Sequence, residues 1–130
     1  MNNITILIAR ILIAQIFLIS GLSKLGGGYA ATQAYMAMMG TPAVLLPLVI
    51  ILEIGGGLAL IIGFRTRWVA LLLALFCIAA AIIFHHNLGD KIQLIMFMKN
   101  LAMAGGLLLL QTNGAGAFSL DAARAGNPMR

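Results

Sequence analysis

"AVLLPLVIILEIGGGLALIIG", residues 43–63, decides the fold. The run is long enough to cross a hydrocarbon core, which takes about 20 helical residues. Within a bilayer such a run must satisfy its own backbone, so it is a helix. Near its centre stands a carboxylate, Glu53, followed by three consecutive glycines, Gly55, Gly56 and Gly57. An intramembrane charge faces the interior of a bundle and pairs there. One span of this kind therefore implies neighbours.

Three more apolar runs supply them, at residues 4–22, 68–85 and 92–111. The whole chain of 130 residues is 62% hydrophobic and 8% charged. Soluble domains carry about 25% charged residues, so water is not the main solvent of this protein. The fold class is all-α, a polytopic membrane protein with four transmembrane helices in a bundle. The first span lacks a basic stretch before it and an A-x-A site after it, and is expected to be retained rather than cleaved.

The connections refine this picture. "GFRTRW", residues 63–68, is a tight turn that makes spans two and three an antiparallel hairpin, and "HHNLGDK", residues 85–91, is a second short turn. The longer first loop holds "QAYMAMM", residues 33–39, read as a short interfacial helix capped by Thr32 and stopped at Gly40 before Pro42. Residues 1–111 then form the membrane domain and 112–130 a tail, in which Ser119 caps a short helix "LDAAR" at 120–124.

The net charge is +5, but the eight Lys and Arg residues are scattered, with no basic helix face to follow a phosphate backbone. Nucleic acid is not an expected partner; the lipid bilayer is. Arg65, Arg67, Arg124 and Arg130 collect on one side of the membrane, against Lys24 and Lys91 on the other. The positive-inside rule places both termini in the cytoplasm of an inner-membrane protein.

Three spans carry one charge each: Arg10, Glu53 and Lys99. Counted by helical rise, Arg10 and Lys99 lie within about 5 Å of the level of Glu53, on opposite sides of it. Two bases for one acid leave a positive charge to be neutralised. Either the three form a buried lock that fixes helix register, or they line a polar midplane pocket, with Asn100 and Gln15 also available to a ligand. Gly55, Ala59 and Gly63 recur every four residues, a stripe of small side chains that admits a close neighbour. Ala102, Gly105 and Gly106 offer a matching surface beyond Lys99 on span four.

Other signals are weaker. Cys77 is alone and reads as a small inert hydrophobe. Adjacent residues on a helix point about 100° apart, so His85 and His86 cannot both ligate one haem iron and read as interfacial histidines. Met36, Met38, Met39, Met96 and Met98 would suit Cu(I) beside imidazole, yet interfacial packing accounts for them, and no metal is expected. The "GGG" lies inside a span and is no nucleotide cradle.

Five stretches taken in order resemble the DoxX family of small inner-membrane proteins: "GLSKL" (21–25), "MAMMGTP" (36–42), "LEIGGGLALIIGFRTR" (52–67), "FMKNLAMAGGLLLL" (97–110) and "GAFSLD" (116–121). The resemblance implies a four-helix bundle with its termini inside. It also implies redox associations: the related DoxD is a subunit of a thiosulfate:quinone oxidoreductase, and other members are linked with quinone, thiol and superoxide stress. Residues carried over are Lys24, Glu53, Lys99 and Asn100. The expected function is a quinone-interacting component of a redox or detoxification system, whether a subunit of a quinone-linked oxidoreductase or not. In it Lys24 or Lys99 donates to a quinone carbonyl, Glu53 exchanges protons, and a soluble or membrane redox partner supplies electrons. The alternatives are a small-solute carrier or channel acting as a homo-oligomer, and a structural subunit of a membrane complex.

Overall fold

The computed structural model describes residues 2–126, all helix and connecting turns, with no strand among them. Four long helices cross the bundle: α1 (Asn3–Ser23), α3 (Leu46–Ile62), α4 (Thr66–Phe84) and α5 (Lys91–Asn113). Between the first two lies α2 (Gly27–Met38), followed by a single 3-10 turn at Ala43–Leu45; α6 (Leu120–Arg124) closes the described chain. Each long helix shows exposed Ile and Leu side chains, the surface a lipid phase requires.

Local chemistry sets the ends. The Asn2 side chain accepts from Ile4 N and starts α1, and Asp90 does the same for α5 through Ile92 N. Gly63, at φ 73°, terminates α3 in the left-handed conformation that favours glycine. Ser119 accepts from Ala122 N, as expected, and opens α6.

The short helix of the first loop is longer than the sequence suggested. It starts at Gly27, so Thr32 does not cap it; the Thr32 hydroxyl instead donates back to Gly28 O within the helix. Its C-terminus does lie beside Gly40, at φ 74°. Tyr35 stacks on Phe84 of α4 with ring centroids 5.5 Å apart, which lays α2 across the bundle's far end.

Helix pairing also departs from the linear reading. The turn at 63–65 does make α3 and α4 antiparallel neighbours, but α3 packs chiefly on α1 and α4 chiefly on α5. Glycines explain the first pairing. A Cβ on Gly57 would sit 3.1 Å from Leu18 N and 3.2 Å from Ala14 O, and one on Gly21 would sit 2.6 Å from Ile54 Cγ1. The backbones of α1 and α3 thus meet through Gly21 and Gly57, while Gly56 receives Leu73 of α4.

The expected stripe of Gly55, Ala59 and Gly63 is therefore not the contact face. Gly55 points into open space, and Gly63, the buried helix cap, receives the Arg10 guanidinium and Ser119 of the tail rather than a neighbouring helix backbone. On α5, Gly105 and Ala102 are exposed, and Gly106 only touches Ile13 at ordinary contact distance. A four-residue period identifies a stripe but not which stripe is inward; Glu53, Gly57 and Leu60, on one buried side of α3, mark the true one.

Residues 114–126 fold across the end of the bundle that holds Asn2 and the 63–65 turn. Asp121 accepts from Arg65 N (2.7 Å) and Thr66 N (2.9 Å), capping α4, while its own N–H donates to Gly63 O (2.9 Å). Arg67 donates to Thr112 O and Gln111 O at the C-terminus of α5. Arg65 and Arg124 flank the Phe64 ring. Arg130, one of the four arginines used to orient the chain, lies outside the described residues.

Candidate functional site: a charged cavity between the helices

Glu53 is 2% exposed at the middle of α3. Its partner is Lys24, whose Nζ lies 2.8 Å from Glu53 Oε1. Side chains on a helix lean toward its N-terminus. Lys24, at the far end of α1, follows that lean back into the bundle, where Ser20 Oγ (2.7 Å) and Ser20 O (3.3 Å) also accept from it. The ammonium is thereby held by three oxygens, and the lysine that counted as a loop charge becomes part of the buried site.

Arg10 does not reach Glu53, contrary to the depth calculation. It is fully buried, and its guanidinium donates to Leu60 O (3.3 Å), Ile61 O (3.4 Å) and Phe118 O. Leu60 is about 10 Å along the helix from Glu53. The carbonyls at the C-terminus of α3 carry the negative end of its dipole and draw the guanidinium to that end. Phe118 O comes from the folded-back tail, a partner with no trace in the local sequence. Arg10 ties α1, α3 and the tail together and stands apart from the cavity.

That cavity, of about 470 Å³, opens between α1, α3, α4 and α5 beneath α2. Glu53, Lys24 and Ser20 supply its polar floor, and Lys99 and Asn100 stand on the α5 wall. The rest is largely apolar and aromatic, including Phe17, Phe76, Phe84 and Met103. Asn100 donates to Met96 O (3.0 Å), which leaves its Oδ1 free to accept. Lys99 makes no ion pair or hydrogen bond among the described residues. With Lys24 matched to Glu53, Lys99 leaves the cavity one positive charge in excess.

Among the expected contributors, Lys24, Glu53, Lys99 and Asn100 are brought together, while Arg10 and Gln15 are not. The methionines divide: Met36, buried, and Met96, exposed at one side, line the cavity, whereas Met38 and Met98, exposed, and Met39, half-buried, lie outside it. Ser20, Tyr35, Phe76 and His85 belong to the lining and were not singled out as a site. Only Ser20 leaves a sequence signal, standing four residues before Lys24 on the same helix face.

A bundle of four membrane-length helices enclosing an acid–base pair in a lipid-depth cavity defines a small polytopic membrane protein with a built polar site. The chain belongs to the DoxX family, whose model matches residues 5–86, a span that includes Lys24 and Glu53 but not Lys99. Over most of its length it is similar to two Escherichia coli K12 proteins. It is 48% identical to inner membrane protein YqjF, over 93% of this chain and 92% of that protein. It is 38% identical to inner membrane protein YphA, over 91% and 89% respectively. No solved structure matches the chain.

Proposed function

We propose that the protein binds the head group of a membrane quinone in the cavity floored by Glu53 and Lys24, as a component of a redox or quinone-detoxification system in an inner membrane. The observation that carries this reading is the cavity's composition: an apolar, aromatic volume of about 470 Å³ with a paired acid and base at its floor and an unmatched lysine on its wall. Ligand sites of this size are mostly apolar, with a few convergent polar groups that fix orientation. A flat aromatic head fits the phenylalanine walls, and its carbonyl oxygen accepts from Lys24 or Lys99.

Quinone chemistry moves two electrons and two protons. Electrons come from a redox partner, and Glu53, within hydrogen-bond reach of Lys24, is the group that exchanges a proton with the head. The relatives' names support an inner membrane, and the arginines at 65, 67 and 124 support termini in the cytoplasm. The test is solvent extraction of protein purified from native membranes, followed by chromatography of the extract. Quinone retained by the wild type and lost in Glu53→Gln supports the reading; protein that folds and carries no quinone opposes it.

A small-solute carrier is the second reading, favoured by one feature. Helix α5 is the least buried of the four spans, as a helix that meets a second copy would be. Cysteine cross-linking along its exposed face in intact membranes tests that arrangement.

A further inference from the structure

A second cavity, of about 300 Å³, opens at the end of the bundle where the tail folds over the 63–65 turn. Arg65, Arg67, Trp68, Gly114 and Asp121 are on its wall. Arg67 and Trp68 stand in the first turn of α4, so the cavity lies where a span begins, at the level of lipid head groups.

Arg67 uses only part of its guanidinium within the protein. Nη1 donates to Thr112 O (2.6 Å) and Gln111 O (3.2 Å), which anchors the side chain on the C-terminus of α5. Nε and Nη2 make no hydrogen bond among the described residues. These two atoms form the edge of a guanidinium that holds two oxygens of one anion. A Cβ at Gly114 would stand 3.1 Å from Nη2 and 3.4 Å from Nε, so glycine there leaves the edge uncovered. The carbonyls of α5 fix the group, and its free fork is pre-organised.

The surroundings narrow the class of anion. Asp121, the acid of the wall, already bonds Arg65 N and Thr66 N through its two oxygens. Arg65 and Arg67 outnumber it, so the wall is net positive and repels an ammonium. Trp68 is 66% exposed, and Leu72 and Leu75, also exposed, continue its face of α4 into the membrane. An apolar track leading away from the fork matches the chains of a lipid and not a free phosphate ion.

We propose that the free edge of Arg67 holds the phosphodiester of an anionic phospholipid whose head carries no ammonium, with its chains along Trp68, Leu72 and Leu75. Basic pockets between spans bind acidic lipid heads in this way. The site is separate from the quinone cavity and does not depend on it.

Trp68 is the one tryptophan of the chain, so tryptophan fluorescence reports this wall alone. In bilayers of phosphatidylcholine and phosphatidylglycerol, with one or the other brominated on its chains, quenching of Trp68 measures the preference between the two heads. The wild type favours phosphatidylglycerol about tenfold, the worth of a charge-assisted contact. Arg67→Lys keeps the charge and a donor for the α5 carbonyls but loses the fork, and its preference falls to about threefold or less. At about 1 M salt the Debye length is about 3 Å, and the wild-type preference persists because the contact is direct. If Arg67→Lys keeps the full preference, or if salt abolishes it in the wild type, the attraction is diffuse charge and the site is wrong. The salt series needs no variant and decides alone should Arg67→Lys fail to fold. In detergent micelles doped with brominated phosphatidylglycerol, millimolar inorganic phosphate leaves the quenching unchanged. Release of the lipid by phosphate would give the pocket to a soluble anion and overturn the lipid assignment.

Discussion

Lys24 Nζ lies 2.8 Å from Glu53 Oε1 although Lys24 stands at the end of its helix and Glu53 at the centre of its own. The pair joins α1 to α3 at the floor of the cavity. It is an interhelical tie and, in the function proposed above, also a ligand contact, and the two roles separate experimentally.

Glu53→Gln leaves an ammonium without its counter-charge, and breaking a buried pair costs about 3–5 kcal/mol. Adding Lys24→Met removes the orphaned cation and should restore at least half of the lost stability in SDS-unfolding titrations. Quinone retention should stay absent in the double variant, because both polar floor groups are gone. Recovery of quinone binding alongside stability would falsify the role of the floor in ligand recognition.

Lys99 has no protein partner among the described residues to lose. Lys99→Met is therefore expected to shift stability by no more than about 0.5 kcal/mol. Decyl-1,4-benzoquinone affinity, measured in the same detergent, should fall about tenfold, the loss of one charge-assisted hydrogen bond. A destabilised variant of unchanged affinity would assign Lys99 to structure.

Arg10 gives the opposite pattern. Arg10→Met leaves the carbonyls of Leu60, Ile61 and Phe118 without their donor and should destabilise the fold by about 2–4 kcal/mol. Arg10→Lys is expected to rescue little, because one ammonium cannot reproduce the guanidinium fork. Ligand affinity of the folded fraction should not move, and a tenfold loss there would bring Arg10 back into the site.

Two adjacent-looking glycines should behave in opposite ways. Gly57→Ala forces a methyl against Leu18 N and Ala14 O and should destabilise by about 1–3 kcal/mol. Gly55→Ala meets nothing within 4 Å and gains helix propensity, up to about 1 kcal/mol. Thermal unfolding of the two single variants decides which face of α3 is packed.

Topology is checked with fusions at the C-terminus. Green fluorescent protein there should fluoresce and alkaline phosphatase should be inactive, as arginines at 65, 67 and 124 on the terminal side require. An active phosphatase reverses the orientation and puts the cavity rim on the cytoplasmic side.

The four spans were legible in the sequence because burial in lipid is written as unbroken apolar length, a local property of each run. The helix cap at Ser119 was local too, a side chain bonding a backbone a few residues on. That Glu53 needed a partner also followed from sequence, since the cost of an unpaired charge in lipid does not depend on the fold. Which base answers it was decided by tertiary structure. Counting Cα heights favoured Arg10 and Lys99, but side-chain direction sends Lys24 inward, and the carbonyls of α3 and Phe118 draw Arg10 away. The packed face of α3 was equally undecided, because a four-residue period fixes a stripe without its azimuth, and only the approach of Gly21 to α3 turns Gly57 inward. His85 looked the same as His86 in sequence, and only the cavity beside it, formed by helices far apart in the chain, distinguishes them.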